Sequence, residues 1–216
     1  MTSIVQAAAG QTGAPARCPA YPAAFLRLSD GRDIVVRPIR PEDDALERAF
    51  IQGLSRDSRY NRLLSGRTLT PDEIRQLTRI DYHREMAFVA LAFNSGQASL
   101  LGVARYVRDS AGSGAEFALV VTDAWQRKGI GSLLLNTLLR HARAVGIERL
   151  HGITLATNQA MQHLARRLGF VQMHDPQDAT ARRIEKSLAP AERPAAEYSC
   201  ARNYAVAAND DTSAPA

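Results

Sequence analysis

The chain has 216 residues, 45% of them hydrophobic and 23% charged, with a net charge of +5. That balance suits one globular domain with a sizeable core. No stretch approaches the roughly 20 apolar residues of a membrane span, and Met1 to Pro15 lacks the basic start and apolar centre of a secretory signal, so a cytoplasmic protein with no membrane partner is expected. The two cysteines, Cys18 and Cys200, sit in opposite terminal segments without metal-ligand spacing; two reduced thiols and no metal site are expected.

Residues 1–29 and 190–216 are rich in Ala with scattered Gly, Pro, Asn and Asp, and both are expected to be disordered tails around a single domain at 30–189. The tails carry net charges of +2 and −2, so the whole excess of +5 lies on the domain. This suits a polyanionic ligand and equally an ordinary basic surface. No basic patch interleaved with aromatics is visible, and nucleic acid is not expected as a partner.

In chain order, Asp30-Gly31 is a turn signal before a strand at Asp33 to Arg37, and Pro41 with Glu42, Asp43 and Asp44 starts a helix whose inner face is Leu46, Phe50, Ile51 and Leu54. A second helix is expected at Ser58 to Leu64. A third opens at Thr70-Pro71, with Ile74 and Leu77 inward. Met86 to Phe93, Leu100 to Val107 and Ala115 to Val121 are strands separated by polar, glycine-containing turns.

The segment that follows carries chemistry. The strand ending at Val121 runs into Gln126-Arg127-Lys128-Gly129-Ile130-Gly131, which opens a helix with apolar residues at Ile130, Leu133, Leu134, Leu138, Ala142 and Val145 and a stop at Gly146. Converging backbone N–H groups, the helix N-terminus and two cations make a phosphate cradle, and the glycines let backbone approach an anion. Taken alone, a tight turn with solvated Arg and Lys explains the same residues. A strand at Leu150 to Leu155 and a helix capped by Thr157 or Asn158 and running to Leu168 complete a right-handed crossover. Strands at Phe170 to Met173 and Arg182 to Leu188 end the domain.

The loop Gln/Arg-x-x-Gly-x-Gly, with Leu168-Gly169-Phe170 downstream, resembles the coenzyme A pyrophosphate loop of the GNAT N-acetyltransferase superfamily. Within it, Ile34-Val35-Val36-Arg37-Pro38, Ile80-Asp81-Tyr82 with Arg84-Glu85-Met86, and Glu116-Phe117-Ala118 are similar to the acetyltransferase domain of Pat-like bacterial protein lysine acetyltransferases. The likeness runs from about Leu28 to Phe170. It implies an α/β (α+β) GNAT fold: a mixed, mostly antiparallel, twisted sheet of six to seven strands flanked by helices. It also implies acetyl-CoA as co-substrate, held by Gln126, Arg127, Lys128, Gly129, Ile130, Gly131 and Ser132 at the pyrophosphate and by Asn158 along the pantetheine arm. Backbone N–H groups at Leu119 and Val121 would polarise the thioester carbonyl. The implied acceptor is a lysine on a protein, with an acyl-CoA synthetase as the first partner to test; a small amine, or a non-catalytic acetyl-CoA-binding regulator, are the alternatives.

N-acetyl transfer needs a neutral amine, yet at pH 7 only about one free lysine in a thousand is deprotonated. Glu116 is the single ionisable residue of the strand Ala115 to Val121, and burial there would raise its pKa toward a general base's range; an ion pair at the strand's start is the bland reading. Where many GNAT enzymes carry a tyrosine, four residues before the glycine of Leu-Gly-Phe, this chain has Ala165. Pat-like domains share that absence, and no general acid is assigned. None of the histidines shows metal-ligand spacing, and His141 and His163 are expected on helix surfaces or half-buried.

Overall fold

Strands whose side chains alternate between two apolar faces build one large sheet. The computed structural model describes residues 21, 23–28, 31–63, 69–110 and 113–188. Its strands are β1 (Ala24–Arg27), β2 (Asp33–Pro38), β3 (Glu85–Asn94), β4 (Gln97–Arg108), β5 (Gly114–Val121), β6 (Arg149–Leu155), β7 (Val171–His174) and β8 (Ala181–Ser187). They form an 8-stranded sheet in the order β1-β2-β3-β4-β5-β6-β8-β7. Every neighbouring pair is antiparallel except β5 and β6, which run parallel.

Helices cover both faces. On one, Ile34, Val36, Phe88, Tyr106, Phe117 and Leu150 pack against the buried side of α4 (Ile130–Ala144), which supplies Leu134, Leu135, Leu138 and Ala142. On the other, Val89, Leu91, Val103 and Val120 meet Phe50 and Ile51 of α1 (Asp44–Gly53) and Ile74 and Leu77 of α3 (Pro71–Thr78). Each fully buried aliphatic or Phe side chain contributes about 1.5–3 kcal/mol, so the two cores hold the sheet rigid between them. Two further helices, α2 (Arg56–Leu63) and α5 (Gln159–Arg167), pack against β5 and β7 respectively.

The helix starts follow the sequence chemistry. Thr70 and Glu73 form a reciprocal capping box at α3: Thr70 N–H donates to Glu73 Oε2 at 2.8 Å and Glu73 N–H to Thr70 Oγ1 at 3.3 Å. Before α1, a 3-10 turn at Pro41–Asp43 is fixed by the Asp43 carboxylate, which accepts from Arg40 N–H at 2.8 Å and from the Arg37 guanidinium at 2.7 Å on each oxygen. Gly129 (φ +86°) and Gly146 (φ +77°) bracket α4 in the left-handed region that favours glycine.

Three expectations need correction. The N-terminal tail does not extend to residue 29: Ala24–Arg27 pairs with β2 as an edge strand, Leu26 packs against the core, and Tyr21 stacks edge-on to Phe88 at 4.8 Å. Four residues with one inward face carry too little periodicity to stand out from an Ala/Pro-rich segment. That strand brings the sheet to eight strands rather than six or seven. His141 is neither at a helix surface nor half-buried but buried: it is 5% exposed, with Nδ1 3.0 Å from the Tyr106 hydroxyl, and burial followed by the Arg108 charge pushes its imidazole down to about 4. The expected tail at 190–216, with Cys18 and Cys200, lies outside the described residues.

Candidate active site

The parallel β5–β6 ladder stops early. It pairs Gly114 with Arg149, Ala115 with Leu150 and Glu116 with His151, although both strands continue beyond. On the other side of β5 the ladder to β4 continues to Val121, and Thr122 N–H donates to Leu101 O at 2.8 Å. Antiparallel bonding alternates along a strand, so the N–H groups of Leu119 and Val121 point away from β4 into the split toward β6. The Val121 carbonyl points there as well and accepts from Gln126 Nε2 at 3.0 Å.

At the mouth of the split lies the glycine loop. Arg127 adopts φ +61°, a left-handed conformation that costs a non-glycine residue about 1–2 kcal/mol, and Gly129 follows at φ +86°. The first N–H of the helix to find a backbone acceptor is Leu133, which donates to Gly129 O at 3.0 Å. Among the described residues no acceptor meets the N–H groups of Ile130, Gly131 and Ser132, as a helix N-terminus dictates. Several cations lie on or near this loop. Arg127 and Lys128 are exposed, Arg167 Nη2 donates to Ser132 Oγ at 2.8 Å, and Arg32 lies 4.2 Å and Lys128 Nζ 5.0 Å from the Trp125 ring.

Gly131 tests the fit of a coenzyme. A Cβ there would meet Leu164 at 3.4 Å, Leu119 at 3.6 Å and Val121 at 3.8 Å, so a branched side chain would fill the split where a slender arm would pass. From Val121 back to Glu116 the strand spans roughly 17 Å at about 3.3 Å per residue. A polyanion at the loop with an arm along the split therefore fits the residues present.

Glu116 stands at the far end, half-buried, on the face opposite α4. It opens into a cavity of about 440 Å³ whose lining includes His151, Arg149, Asp175, Arg183 and Glu185. Burial pushes its carboxyl above the ordinary glutamate range, opposed by the nearby His151 and reinforced by Asp109. A second raised carboxyl, Glu85, lies in the same row of the sheet across Val107. Burial dominates there too, but the fully buried Arg105 beside it opposes the shift, and Glu85 does not line the cavity. A half-buried carboxylate facing an open cavity at the end of the split can take a proton from an incoming amine.

The structure thus brings Arg127, Lys128, Gly129, Ile130, Gly131 and Ser132 together at one end of the split, Leu119 and Val121 along it, and Glu116 at the other end. Two expected ligands turn out to be committed elsewhere in part. Gln126 Nε2 donates to Ser58 Oγ at 3.2 Å as well as to Val121 O, and Asn158 Oδ1 caps α5 by accepting from Met161 N–H at 3.1 Å. Sequence reasoning missed His151, Asp109, Asp123 and the serine pair of the α1–α2 junction. Asp123 accepts from Ser55 Oγ and Ser58 Oγ at 2.8 Å each. Burial would raise its carboxyl, but the serine hydrogen bonds outweigh it and hold it below the ordinary range. These residues lie tens of positions apart, and no local spacing marks them.

A strand–loop–helix cradle on a split sheet defines the class: the chain belongs to the acetyltransferase (GNAT) family, whose model matches residues 45–170. It is an N-acetyltransferase that uses acetyl-CoA as co-substrate. It is 37% identical to an acetyltransferase of Pseudomonas aeruginosa over 154 residues, which covers 71% of this chain and 83% of that protein. It is 30% identical to the acetyltransferase Pat of Mycolicibacterium smegmatis over 153 residues, 69% of this chain but 45% of that longer protein. Among solved structures, the GNAT domain of S. lividans PAT superposes with a TM-score of 0.68 at 28% identity, covering 78% of this chain and all (100%) of that one. Among the described residues no helix is long and apolar enough to cross a membrane, and no group of His, Cys, Asp or Glu is arranged to hold a metal ion.

Proposed function

We propose that this acetyltransferase acts on a lysine ε-amine of a protein, which attacks the thioester directly while Glu116 serves as general base. The observation that carries this reading is the placement of Glu116, a half-buried carboxylate with a raised pKa facing an open cavity at the end of the β5–β6 ladder. A base of that kind meets the central demand of the reaction, the neutral amine that is scarce at pH 7. The exposed cations Arg127 and Lys128, with the N–H groups of Gly129, Ile130, Gly131 and Ser132, would hold the pyrophosphate. The remaining donors of the Asn158 amide would meet the arm, Gln126 would brace the loop from behind, and the Leu119 and Val121 N–H groups would stabilise charge developing on the carbonyl oxygen.

A protein acceptor is supported by two things. The cavity is open and lined by side chains of both signs, so a lysine can enter while its backbone stays outside. The relatives that resemble this chain include two named Pat. An acyl-CoA synthetase is the first acceptor to try. Incubation with labelled acetyl-CoA, purified synthetases and a panel of polyamines and amino acids decides the matter. Label on a synthetase lysine is the expected result, and efficient labelling of a small amine with none on protein would overturn it.

A further inference from the structure

The ladder between β5 and β6 ends on the pair Glu116 and His151. Adjacent strands lie about 4.8 Å apart, so the two side chains stand next to each other on the acceptor face, and both line the cavity. His151 is fixed from outside. Its Nε2 lies 3.0 and 3.2 Å from the two carboxylate oxygens of Asp109, just beyond β4, whose own N–H donates to Gly114 O at 3.0 Å. A carboxylate only accepts hydrogen bonds, so Nε2 carries the hydrogen and Nδ1 is left as the basic nitrogen of the neutral ring. The other charged groups facing this pair are Arg149 on β6, 3.7 Å from the Asp109 carboxylate, Arg183 and Glu185 on β8, and Asp175 after β7.

We propose that His151, oriented by Asp109, is the proton outlet of Glu116; the proposal rests on the reading of Glu116 as base. When a protonated amine is acetylated, a C–N bond forms, the C–S bond breaks and two protons leave the nitrogen. One ends on the departing sulfur. The other, taken by the Glu116 carboxylate, must be discharged before the next turnover. His151 Nδ1 takes it, directly or through one water, and passes it to bulk water through the open cavity, while Asp109 balances the charge of the transient imidazolium. No oxidant, metal or further reactant is consumed, and His151 is returned neutral.

The test combines turnover with a titration that needs no acceptor. With acetyl-CoA and a panel of acyl-CoA synthetase and poly-lysine, His151→Gln is expected to lower kcat about 10- to 100-fold with the acetyl-CoA KM unchanged. Imidazole added to His151→Ala is expected to restore rate, which a merely structural histidine would not allow. Carbon-13 NMR of the Glu116 carboxyl in the free protein is expected to titrate higher in His151→Gln, because the electrostatic support that His151 lends the carboxylate is gone. It should titrate lower in Asp109→Asn, because an opposing negative charge is gone. A folded His151→Gln at the wild-type rate overturns the proposal, as does a slow His151→Ala that imidazole leaves slow, or a Glu116 midpoint unmoved in both variants. Failure of the underlying reading has a different signature: Glu116→Gln would then retain full activity.

Discussion

The two ends of the β5–β6 split are built in opposite ways. At the end proposed to hold the coenzyme, the residues that would face it are nearly contiguous, from Arg127 to Ser132, and their arrangement follows from a turn and a helix N-terminus. At the acceptor end, Glu116, His151, Asp109, Asp175 and Arg183 come from separate strands and loops, and the sheet alone brings them together. A contiguous site is fixed by local backbone geometry. A dispersed one depends on register, since a shift of one residue between β5 and β6 would turn Glu116 to the opposite face. The coenzyme end should therefore respond to substitution in binding, and the acceptor end in turnover.

Glu116→Gln separates the two ends most sharply. It keeps the side chain's shape but cannot accept a proton, so kcat should fall by about 10²- to 10⁴-fold while acetyl-CoA affinity by calorimetry stays within about twofold. As the proposed base, the same residue should set the acid limb of the pH profile. Its pKa is raised in the fold, so it remains protonated at pH values where a free glutamate is already ionised, and activity should be lost as pH falls at a point above the ordinary glutamate value of 4.5. A limb at or below that value would mean that Glu116 is not the titrating base.

Gly131→Val probes the other end. Its branches would enter the space between Leu164, Leu119 and Val121, and acetyl-CoA affinity should weaken by about 10- to 100-fold, the cost of a misfit of one or two methyl groups, with the thermal unfolding midpoint little changed. Equal affinity in a folded variant would remove the split as the path of the coenzyme arm.

The smallest effect is expected at the seam that joins the ends. Asp123 and Gln126 tie the approach to the glycine loop to Ser55 and Ser58 at the start of α2, the helix that packs on β5, the strand carrying Glu116. Asp123→Asn should change both acetyl-CoA affinity and kcat, each by about fivefold or less, because the carboxylate is exposed and water replaces much of what is lost. An effect confined to one parameter would show that the seam serves only one end.

The sequence by itself determined the elements whose signals are local. Thr70 with Pro71, Pro41 with its following acids and the glycines around α4 marked helix ends that the structure places within a residue or two, and the loop Gln126 to Ser132 was legible because its chemistry is written in consecutive residues. Glu116 stood out as a lone charge on an apolar strand. Tertiary structure alone decided the rest. It recruited Ala24–Arg27 as an eighth strand through pairing with β2, buried His141 against Tyr106, and gave the Gln126 and Asn158 side chains internal partners. It also set His151 between Glu116 and Asp109. The physical reason is common to all of these: each depends on contacts between residues distant in the chain, whose geometry comes from strand register and helix packing, and neither leaves a local mark in composition or spacing.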